Sequence, residues 1–387
     1  MKNDKVTIAH CGENPDRYYN AVVPPVFLNS LHVFDSMEAY ETRDENNTFV
    51  YGRNDNPTTH ILEDKIAELE KGKRAIAFSS GMGAATAAIL SVCHAGGHII
   101  CMRDVYQPVK SIINNLFVPN FKMSVSYWNG DSLEDLESMV QDNTELIILE
   151  SPGTFVFTVV DLEGVAKIAH KHNIKTYIDN TYCTPLFQKP LTMGIDIVMH
   201  TMSKYIGGHS DIIGGVLVVN DEELGEYIHS TLRDWLGSIP GPMEAWLAIR
   251  GLRSMPARLE QHQKTAMQVA EFLENHTKVE KVYYSGLDSH PRAELIKKQQ
   301  TGHTGLLSFV INGTPDEARQ VVNKLKVFQI GCSWGGFESL ALCPLIKSNK
   351  DELDFLGLRE KDRGLIRIHC GLEGTDILIE DLRQALE

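Results

Sequence analysis

Short apolar runs alternate with amphipathic segments along most of this 387-residue chain, and this alternation constrains its fold more than any other feature. The apolar runs include 75–78, 98–101, 146–149, 176–178 and 216–219. Between several of them lie segments with helical periodicity, such as 162–170. This alternation predicts an α/β fold whose mainly parallel sheet is covered by helices on both faces. In such sheets, ligands bind at the carboxyl ends of the strands.

The chain length and the changes of pattern along the sequence predict an N-terminal arm followed by two domains. Residues 1–55 have little periodicity, include a polar loop at 43–47, and are expected to pack against something else. A large domain is predicted over 56–240, with Asn56 as the N-cap of its first helix and Pro57 at the first helical position. Gly72 is expected to end that helix. A smaller α/β domain is predicted over 241–387, beginning with a long helix.

Composition excludes several kinds of partner. The formal net charge of −14 argues against nucleic acids and anionic membranes, because both require a concentrated positive face. The seven cysteines are scattered without a Cys-x-x-Cys pair, which indicates reduced thiols and predicts neither a disulfide framework nor a metal site.

No apolar stretch approaches the length of a membrane span, and no signal segment follows Met1. We therefore expect a cytoplasmic protein.

Two residues at predicted strand ends point to one cofactor. Lys204 follows the apolar run 195–200, and Asp179 ends the run 175–179. A lone lysine is by default a surface charge. However, a lysine that can form a Schiff base and an aspartate that can hold a pyridinium nitrogen are the groups that pyridoxal 5′-phosphate (PLP) requires. The pair therefore predicts a PLP enzyme in which Lys204 and Asp179 are both catalytic and cofactor-binding residues.

A phosphate site is predicted beside this pair. The segment Ser80-Gly81-Met82-Gly83 follows the run 75–78 and opens a helix rich in small residues, where free backbone N–H groups can bind an anion. A Ser-Gly-x-Gly segment alone would more simply serve close packing of helix on sheet. Thr201 and Ser203 could add hydroxyl donors from the neighbouring strand end, and the conjunction with Asp179 and Lys204 favours the phosphate site.

Several motifs together resemble the Cys/Met metabolism (transsulfuration) family of fold-type I PLP enzymes. They are Tyr51-Gly52-Arg53-Asn54-Asp55-Asn56-Pro57-Thr58, Ser79-Ser80-Gly81-Met82, Asp179-Asn180-Thr181-Tyr182 and Ser203-Lys204-Tyr205. The resemblance extends over nearly the whole chain, from Ala21 to Glu373. It implies a fold-type I PLP-dependent transferase fold with a large PLP-binding domain and a smaller C-terminal α/β domain.

The resemblance also implies that the active site lies between subunits. Tyr51 and Arg53 would reach the cofactor phosphate of the neighbouring subunit, with the arm at 1–55 crossing the interface and Tyr51 also contacting substrate. Without the family, both residues would be assigned to a surface turn. An arginine suits a phosphate because the guanidinium forms strong bidentate pairs. A homodimer would then be the minimal active unit, and a homotetramer built from two such dimers is expected.

Three further residues take roles from the resemblance. Tyr106 matches the tyrosine that stacks on the cofactor ring and could assist proton transfer, although ordinary core filling is an equal reading of an aromatic here. Arg367 matches the arginine that holds the substrate α-carboxylate, and Ser333 would lie beside that carboxylate. Without the family, a structural ion pair would be the better interpretation of Arg367. The expected substrate is a small amino acid.

The reaction type is less constrained by the sequence. The run Ser333-Trp334-Gly335-Gly336-Phe337-Glu338-Ser339-Leu340 and the segment Glu150-Ser151-Pro152-Gly153 resemble bacterial cystathionine β-lyases, which favours a C–S lyase that eliminates a thiol at Cβ. Tyr106-Gln107-Pro108 replaces the Tyr-Gly-Gly or Tyr-Gly-Cys of γ-acting members, and Cys332 stands where several γ-lyases have glutamate.

Other reactions stay open. The segments 179–185 and 207–211 also suit γ-acting members, namely cystathionine γ-lyase, methionine γ-lyase, and cystathionine γ-synthase or O-acylhomoserine sulfhydrylase. A fold-type I aminotransferase is a rival that the Ser-Lys-Tyr and Tyr-x-Arg motifs disfavour. A non-catalytic binding protein is disfavoured by the intact set of lysine, aspartate and arginine.

Overall fold

A computed structural model describes residues 3–44 and 48–387 of the chain. The helices are α1 (Asp4–His10), α2 (Met37–Glu41), α3 (Pro57–Glu70), α4 (Gly81–Val92), α5 (Gln107–Ile112), α6 (Val118–Phe121), α7 (Leu133–Ser138), α8 (Leu162–Lys171), α9 (Thr184–Phe187), α10 (Glu222–Glu226), α11 (Asp234–Leu236), α12 (Pro242–Glu274), α13 (Ala293–Gln299), α14 (Pro315–Lys324), α15 (Lys350–Phe355) and α16 (Thr375–Leu386). The strands are β1 (Arg74–Phe78), β2 (His98–Met102), β3 (Ser124–Trp128), β4 (Thr144–Glu150), β5 (Lys175–Asp179), β6 (Ile197–Thr201), β7 (Gly215–Val219), β8 (Val279–Tyr283), β9 (Leu306–Ile311), β10 (Gln329–Ile330), β11 (Leu340–Leu342) and β12 (Ile366–His369).

Within the described residues, β1–β7 form one sheet in the order β1-β7-β6-β5-β4-β2-β3. The strands from β6 to β3 are mutually parallel, whereas β7 runs antiparallel to both β6 and β1. The central strands are buried along nearly their whole length, as expected when helices cover both faces. The mainly parallel sheet predicted from the apolar runs is therefore confirmed.

The register of this sheet brings two of the predicted residues to the same edge. Asp179 is the last residue of β5 and lies opposite Met199 of β6, two residues before the end of that strand at Thr201. On its other side, Asp179 lies opposite Glu150, the last residue of β4. Because parallel strands end at the same edge, three acidic or hydroxyl-bearing side chains, at 150, 179 and 201, meet at the carboxyl end of the sheet.

A second sheet follows the long helix α12, with the order β10-β11-β12-β9-β8. Its strands pair antiparallel except for β10 with β11. Apolar side chains of this sheet pack against α12, α14 and α16 in a core separate from that of the first sheet. The domain boundaries at 55 and 240 remain predictions, with β1–β7 lying between them and β8–β12 beyond the second.

The N-terminal segment contains helical turns where the sequence predicts irregular chain. Helix α1 packs against α3, and Lys65 donates to the carbonyl oxygen of Ile8 at 3.1 Å while pairing with Glu13 at 2.8 Å. Of the polar loop predicted at 43–47, positions 45–47 lie outside the described residues. No helix in the described part of the chain is long and apolar enough to cross a membrane.

The N-cap predicted for α3 is present, because the Asn56 side chain accepts a hydrogen bond from Thr58 N at 2.9 Å and Pro57 follows it. The end of α3 differs slightly from the prediction. Lys71, and not Gly72, adopts the left-handed cap conformation, with φ 61° and ψ 32°.

Candidate active site

Lys204 lies at the carboxyl end of the large sheet, three residues after β6. The segment Met202–Ile206 forms a π-helical turn, and Lys204 departs from it with φ −106° and ψ −131°. Its Nζ donates to Ser333 Oγ at 2.8 Å and lies 5.5 Å from the ring centroid of Trp334. The structure therefore brings together Lys204 and Ser333, two of the predicted site residues, although they are 129 residues apart.

A glycine makes this approach possible. Gly335 has φ +84°, and a Cβ on it would lie 3.0 Å from Lys204 Cα, so a larger residue would be strained and would press on the lysine backbone. The loop at 332–338 can therefore pack directly against Lys204.

The surroundings of Lys204 favour its neutral form. Burial lowers the pKa of the Lys204 amine, and the nearby Arg367 guanidinium lowers it further, against opposing contributions from Cys332 and Asp179. A lysine with a lowered pKa holds more free amine near neutral pH. Such an amine can act as a nucleophile or accept a proton.

Asp179 is held by its neighbour Thr181. The backbone N of Thr181 donates to Asp179 Oδ1 at 3.0 Å, and its hydroxyl donates to the same oxygen at 2.5 Å. Burial raises the pKa of Asp179, whereas these two bonds and the charges of His200 and Lys204 favour its ionised form. Asp179 and Lys204 thus influence each other electrostatically.

The predicted anion site lies at the start of α4. Ser80 is the N-cap, and its Oγ accepts from Gly83 N at 3.0 Å. The first N–H groups of a helix have no partner within it, and the helix dipole favours negative charge there. A Cβ on Gly81 would lie 3.0 Å from Thr201 Cβ and 3.1 Å from its Oγ1, so the glycine lets the helix start come close to the end of β6. The structure therefore brings the helix start that carries Ser80, Gly81 and Met82 close to Thr201 through Gly81.

The two hydroxyl groups near this helix start both contact Gly214. Thr201 Oγ1 donates to Gly214 O at 3.0 Å, whereas Ser203 Oγ accepts from Gly214 N at 3.3 Å. Ser203 therefore keeps its hydroxyl proton for another acceptor. Thr201 would have to rotate its hydroxyl away from the carbonyl before it could donate to a phosphate.

Arg367 lies on β12, and its guanidinium is partly buried next to the loop that carries Ser333. Its Nη2 donates to Cys332 O at 3.2 Å and its Nη1 to Thr154 O at 3.4 Å. Burial lowers the pKa of Arg367, and Glu150 foremost among the nearby groups opposes that shift. Since these two bonds go to neutral carbonyls, the guanidinium retains donors and charge for a carboxylate.

Glu150 is a site residue that the sequence analysis treated only as part of a motif. Its Oε2 accepts from Tyr106 N at 2.6 Å, which fixes the start of α5. Burial, followed by the negative charge of Asp179, raises the pKa of Glu150 well above its ordinary value. The signal that could have identified it is its position, because it ends an apolar run next to the one that ends at Asp179.

Tyr106 lies at the rim of this cluster with about half of its surface, 48%, exposed. Burial raises the pKa of its hydroxyl, and Cys332 and Asp179 raise it further. The exposed part of the ring is therefore available to a bound group.

Tyr51 and Arg53 are the predicted site residues that the structure does not bring to Lys204 within the chain. The Arg53 guanidinium lies 5.4 Å from the centroid of the Tyr51 ring, and both side chains are exposed. Among the described residues, no hydrogen bond, ion pair or ring contact joins either of them to the Lys204 cluster. The N-terminal arm that carries them has several exposed apolar side chains, including Val22 at 84% and Val33 at 88%.

The assembled groups fit PLP. The start of α4, where Gly81 has no side chain to block an approaching group, suits a phosphate. The partly buried Asp179 carboxylate suits the ring nitrogen, and Lys204 with its lowered pKa suits the aldehyde. Residues 3–44 and 48–387 contain no group of three or more His, Cys, Asp or Glu that could hold a metal ion.

Comparisons with known proteins agree with this reading of the site. Residues 5–387 match the sequence model of the family described as Cys/Met metabolism PLP-dependent enzyme. Human cystathionine γ-lyase is 39% identical over 98% of this chain and 92% of its own length. An L-methionine γ-lyase of Fusobacterium nucleatum subsp. nucleatum is 38% identical over 95% of this chain and 94% of its length. A cystathionine β-lyase of Lactococcus lactis subsp. cremoris is 35% identical over the full length of both chains.

The fold also matches a solved structure. The crystal structure of metB from Corynebacterium glutamicum superposes with a TM-score of 0.92 and 31% sequence identity, covering 100% of this chain and 98% of that one. The similarity therefore includes both sheets and the arm.

Proposed function

Because the chain belongs to the family of Cys/Met metabolism PLP-dependent enzymes, we propose that it is a carbon–sulfur lyase of sulfur amino-acid metabolism. Its substrate would be cystathionine or a related amino acid, from which it eliminates a thiol. The observation that carries the proposal is the contact of Lys204 Nζ with Ser333 Oγ at 2.8 Å, beside Asp179 and Arg367. The proposal requires an amine that accepts a proton near a guanidinium that binds a carboxylate, and this arrangement supports both roles.

The cofactor would be held by the groups already described. Ser80, Gly81 and Met82 at the start of α4, with Ser203 and Thr201, would bind the phosphate, and Asp179 would hold the ring nitrogen. Bound PLP supplies an electron sink that stabilises negative charge at the substrate Cα. The Tyr106 ring would pack on the cofactor from the rim of the site.

Other residues of the chain would bind the substrate and transfer protons. Arg367 would bind the substrate α-carboxylate and fix the orientation of Cα. Lys204 Nζ would accept the proton from Cα, and its lowered pKa makes the free amine available for this step. Ser333 would hold Nζ in place through their hydrogen bond. Tyr106 could assist proton transfer to the leaving thiolate.

We favour elimination at Cβ. Support comes from the sequence segments 150–153 and 333–340, and from Cys332 beside Arg367, where several γ-lyases have glutamate. Cys332 is exposed next to the site, so the substrate would meet a thiol where those relatives present a carboxylate. The similarity to a full-length cystathionine β-lyase is consistent with this reading.

Elimination at Cγ is the second candidate, because the two γ-lyases named above are slightly more identical to this chain than the β-lyase is. Lys204 would in that case also remove a proton from Cβ.

The active unit would be a homodimer and the full assembly a homotetramer. This proposal is supported by the exposed apolar side chains of the arm and by the separation of Tyr51 and Arg53 from the Lys204 cluster within one chain. Arg53 would reach the cofactor phosphate of the neighbouring subunit. Tyr51 would reach the phosphate and the substrate there. We also propose the cytoplasm as the compartment, since Cys101, Cys183, Cys343 and Cys370 are buried thiols that suit a reducing environment.

The test is to identify the keto acid that the PLP-loaded protein releases from cystathionine. Elimination at Cβ gives homocysteine, ammonia and pyruvate, whereas elimination at Cγ gives cysteine, ammonia and 2-oxobutyrate. Parallel incubations with cysteine, methionine and O-acylhomoserines cover the related substrates. Release of pyruvate supports the favoured reaction, release of 2-oxobutyrate replaces it with the second candidate, and a thioether formed from an O-acylhomoserine and cysteine indicates a synthase. Absence of any keto acid or thioether product would refute the lyase proposal.

A further inference from the structure

A buried polar cluster formed by Glu70, Asn180, Gln188 and His200 lies next to Asp179. His200 Nε2 is 2.5 Å from Glu70 Oε1, and Asn180 Nδ2 donates to the same oxygen at 3.2 Å. Asn180 Nδ2 also donates to Gln188 O at 3.1 Å. Glu70 and His200 are 0% and 1% exposed, so this contact between a carboxylate and an imidazole is shielded from water.

Such a cluster is costly to bury. Within the described residues, Glu70 Oε2, Asn180 Oδ1 and His200 Nδ1 have no hydrogen-bond partner. Burial of a polar atom without a hydrogen-bond partner destabilises the folded state, whereas burial of an apolar side chain of similar size does not. Core packing alone therefore explains this cluster poorly.

The cluster is tied to the turn that carries Asp179. Asn180 N donates to Met199 O at 2.9 Å, so the residue after Asp179 is fixed to β6 by its backbone and to Glu70 by its side chain. Thr201 N donates to Thr181 Oγ1 at 2.9 Å, and that hydroxyl donates to Asp179 Oδ1. The 179–181 turn is thus held on both sides of His200.

Charge links the same residues. Burial raises the pKa of Asp179, and a positive charge on His200 opposes that shift. Several other titratable groups face Asp179. Lys204 also favours ionised Asp179, whereas the negative charge of Asp179 raises the pKa of Glu150, Tyr106 and Tyr177. Cys183 faces Glu70. On the β7 side, His200 lies opposite Val216, which is apolar. The contact between Glu70 and His200 lies where water does not reach, so its electrostatic influence on Asp179 is little screened.

We propose that Glu70 and His200 are positioning residues for Asp179, which fix the 179–181 turn and set the electrostatic surroundings of the Asp179 carboxylate. Held in this way, the Asp179 carboxylate would keep the pyridine nitrogen of bound PLP protonated. This inference rests on the proposed function, because it assumes that Asp179 holds that nitrogen.

The test uses holoenzyme reconstituted with PLP labelled with ¹⁵N in the ring, whose NMR signal reports protonation of that nitrogen. Glu70→Gln keeps an oxygen acceptor and nearly the same volume but removes the negative charge. We expect its ring signal to move toward the unprotonated form and its cofactor dissociation constant to rise roughly tenfold, as loss of one charged partner implies. His200→Gln keeps a donor toward Glu70 and should give the same two changes, so the test stands even if one variant does not fold.

Asp196→Asn is the matched structural control. Asp196 accepts from Thr176 N at 2.9 Å and from Thr176 Oγ1 at 2.7 Å, and therefore joins β5 to the start of β6 at the opposite end of the same two strands. This variant should lose thermal stability and keep the wild-type ring signal and cofactor affinity. If the Glu70 and His200 variants also keep both, or if Asp196→Asn shifts them equally, the inference is wrong.

Asp179→Asn separates this inference from the proposed function. If Asp179→Asn moves the ring signal and the Glu70 and His200 variants do not, only the inference fails. If Asp179→Asn itself leaves the signal unchanged, Asp179 does not hold the nitrogen, and the proposed assignment of the site fails with it.

Discussion

Replacement of Arg367 by alanine should weaken the action of the enzyme on every amino-acid substrate without disturbing the resting cofactor. The guanidinium is partly buried, and its two hydrogen bonds, at 3.2 and 3.4 Å, go to the neutral carbonyl oxygens of Cys332 and Thr154. Most of its donors are therefore available to the α-carboxylate that all the candidate substrates share. Removing these donors should weaken substrate binding more than cofactor binding.

The size of the effect follows from the burial of the charge. Loss of one partner of a buried, charge-assisted pair costs roughly 2–5 kcal/mol, which corresponds to a fall of about 30- to 5000-fold in kcat/KM. Arg367→Lys keeps the charge but not the planar fork of donors, so its loss should be intermediate. The orientation of Cα also depends on this residue, so part of the loss should fall on kcat.

The assay combines steady-state kinetics on cystathionine and cysteine with the visible spectrum of the resting holoenzyme. We expect kcat/KM to fall for both substrates and the spectrum to match that of the wild type. The reasoning would be refuted by near-normal kcat/KM in Arg367→Ala, or by a variant that loses its cofactor before substrate is added. The second result would make Arg367 a structural or phosphate-binding residue.

Three further predictions concern other groups. Lys204→Ala should abolish turnover while retaining cofactor through its phosphate contacts, and near-normal activity in that variant would contradict the assignment of the catalytic lysine. Arg53→Ala should bind cofactor more weakly, and mixing it with Lys204→Ala should restore activity, because a mixed dimer holds one site free of both changes; no recovery after verified subunit exchange would place Arg53 in its own chain's site. Burial lowers the pKa of His262 to about 4, so the unfolded chain takes up a proton that the folded chain resists as the pH falls from about 6.5 toward 4. The contribution of His262 to the free energy of unfolding should therefore be complete above about pH 6.5 and fall by up to about 3 kcal/mol as the pH decreases to about 4. Urea unfolding at several pH values should show that the free energy of unfolding of His262→Asn falls less over this range than that of the wild type. If both proteins lose the same free energy, other groups cause the loss.

The sequence alone determined the features that depend on neighbouring residues. The apolar runs predicted the strands of the large sheet because a strand buried on both faces must be apolar throughout. The cap at Asn56 was predictable because a capping side chain binds a backbone N–H group only two residues away. Lys204 and Asp179 were identifiable because each stands near the end of such a run.

The tertiary structure decided which distant residues meet. The contact of Lys204 with Ser333 spans 129 residues and depends on the close approach of Gly335, which no local pattern encodes. Glu150 entered the site through the register of β4 against β5, and the cluster of Glu70 with His200 through the packing of α3 on the sheet. Local patterns fix which segments become strands and helices, whereas register and packing, set by side chains far apart in sequence, fix which of their ends share a site.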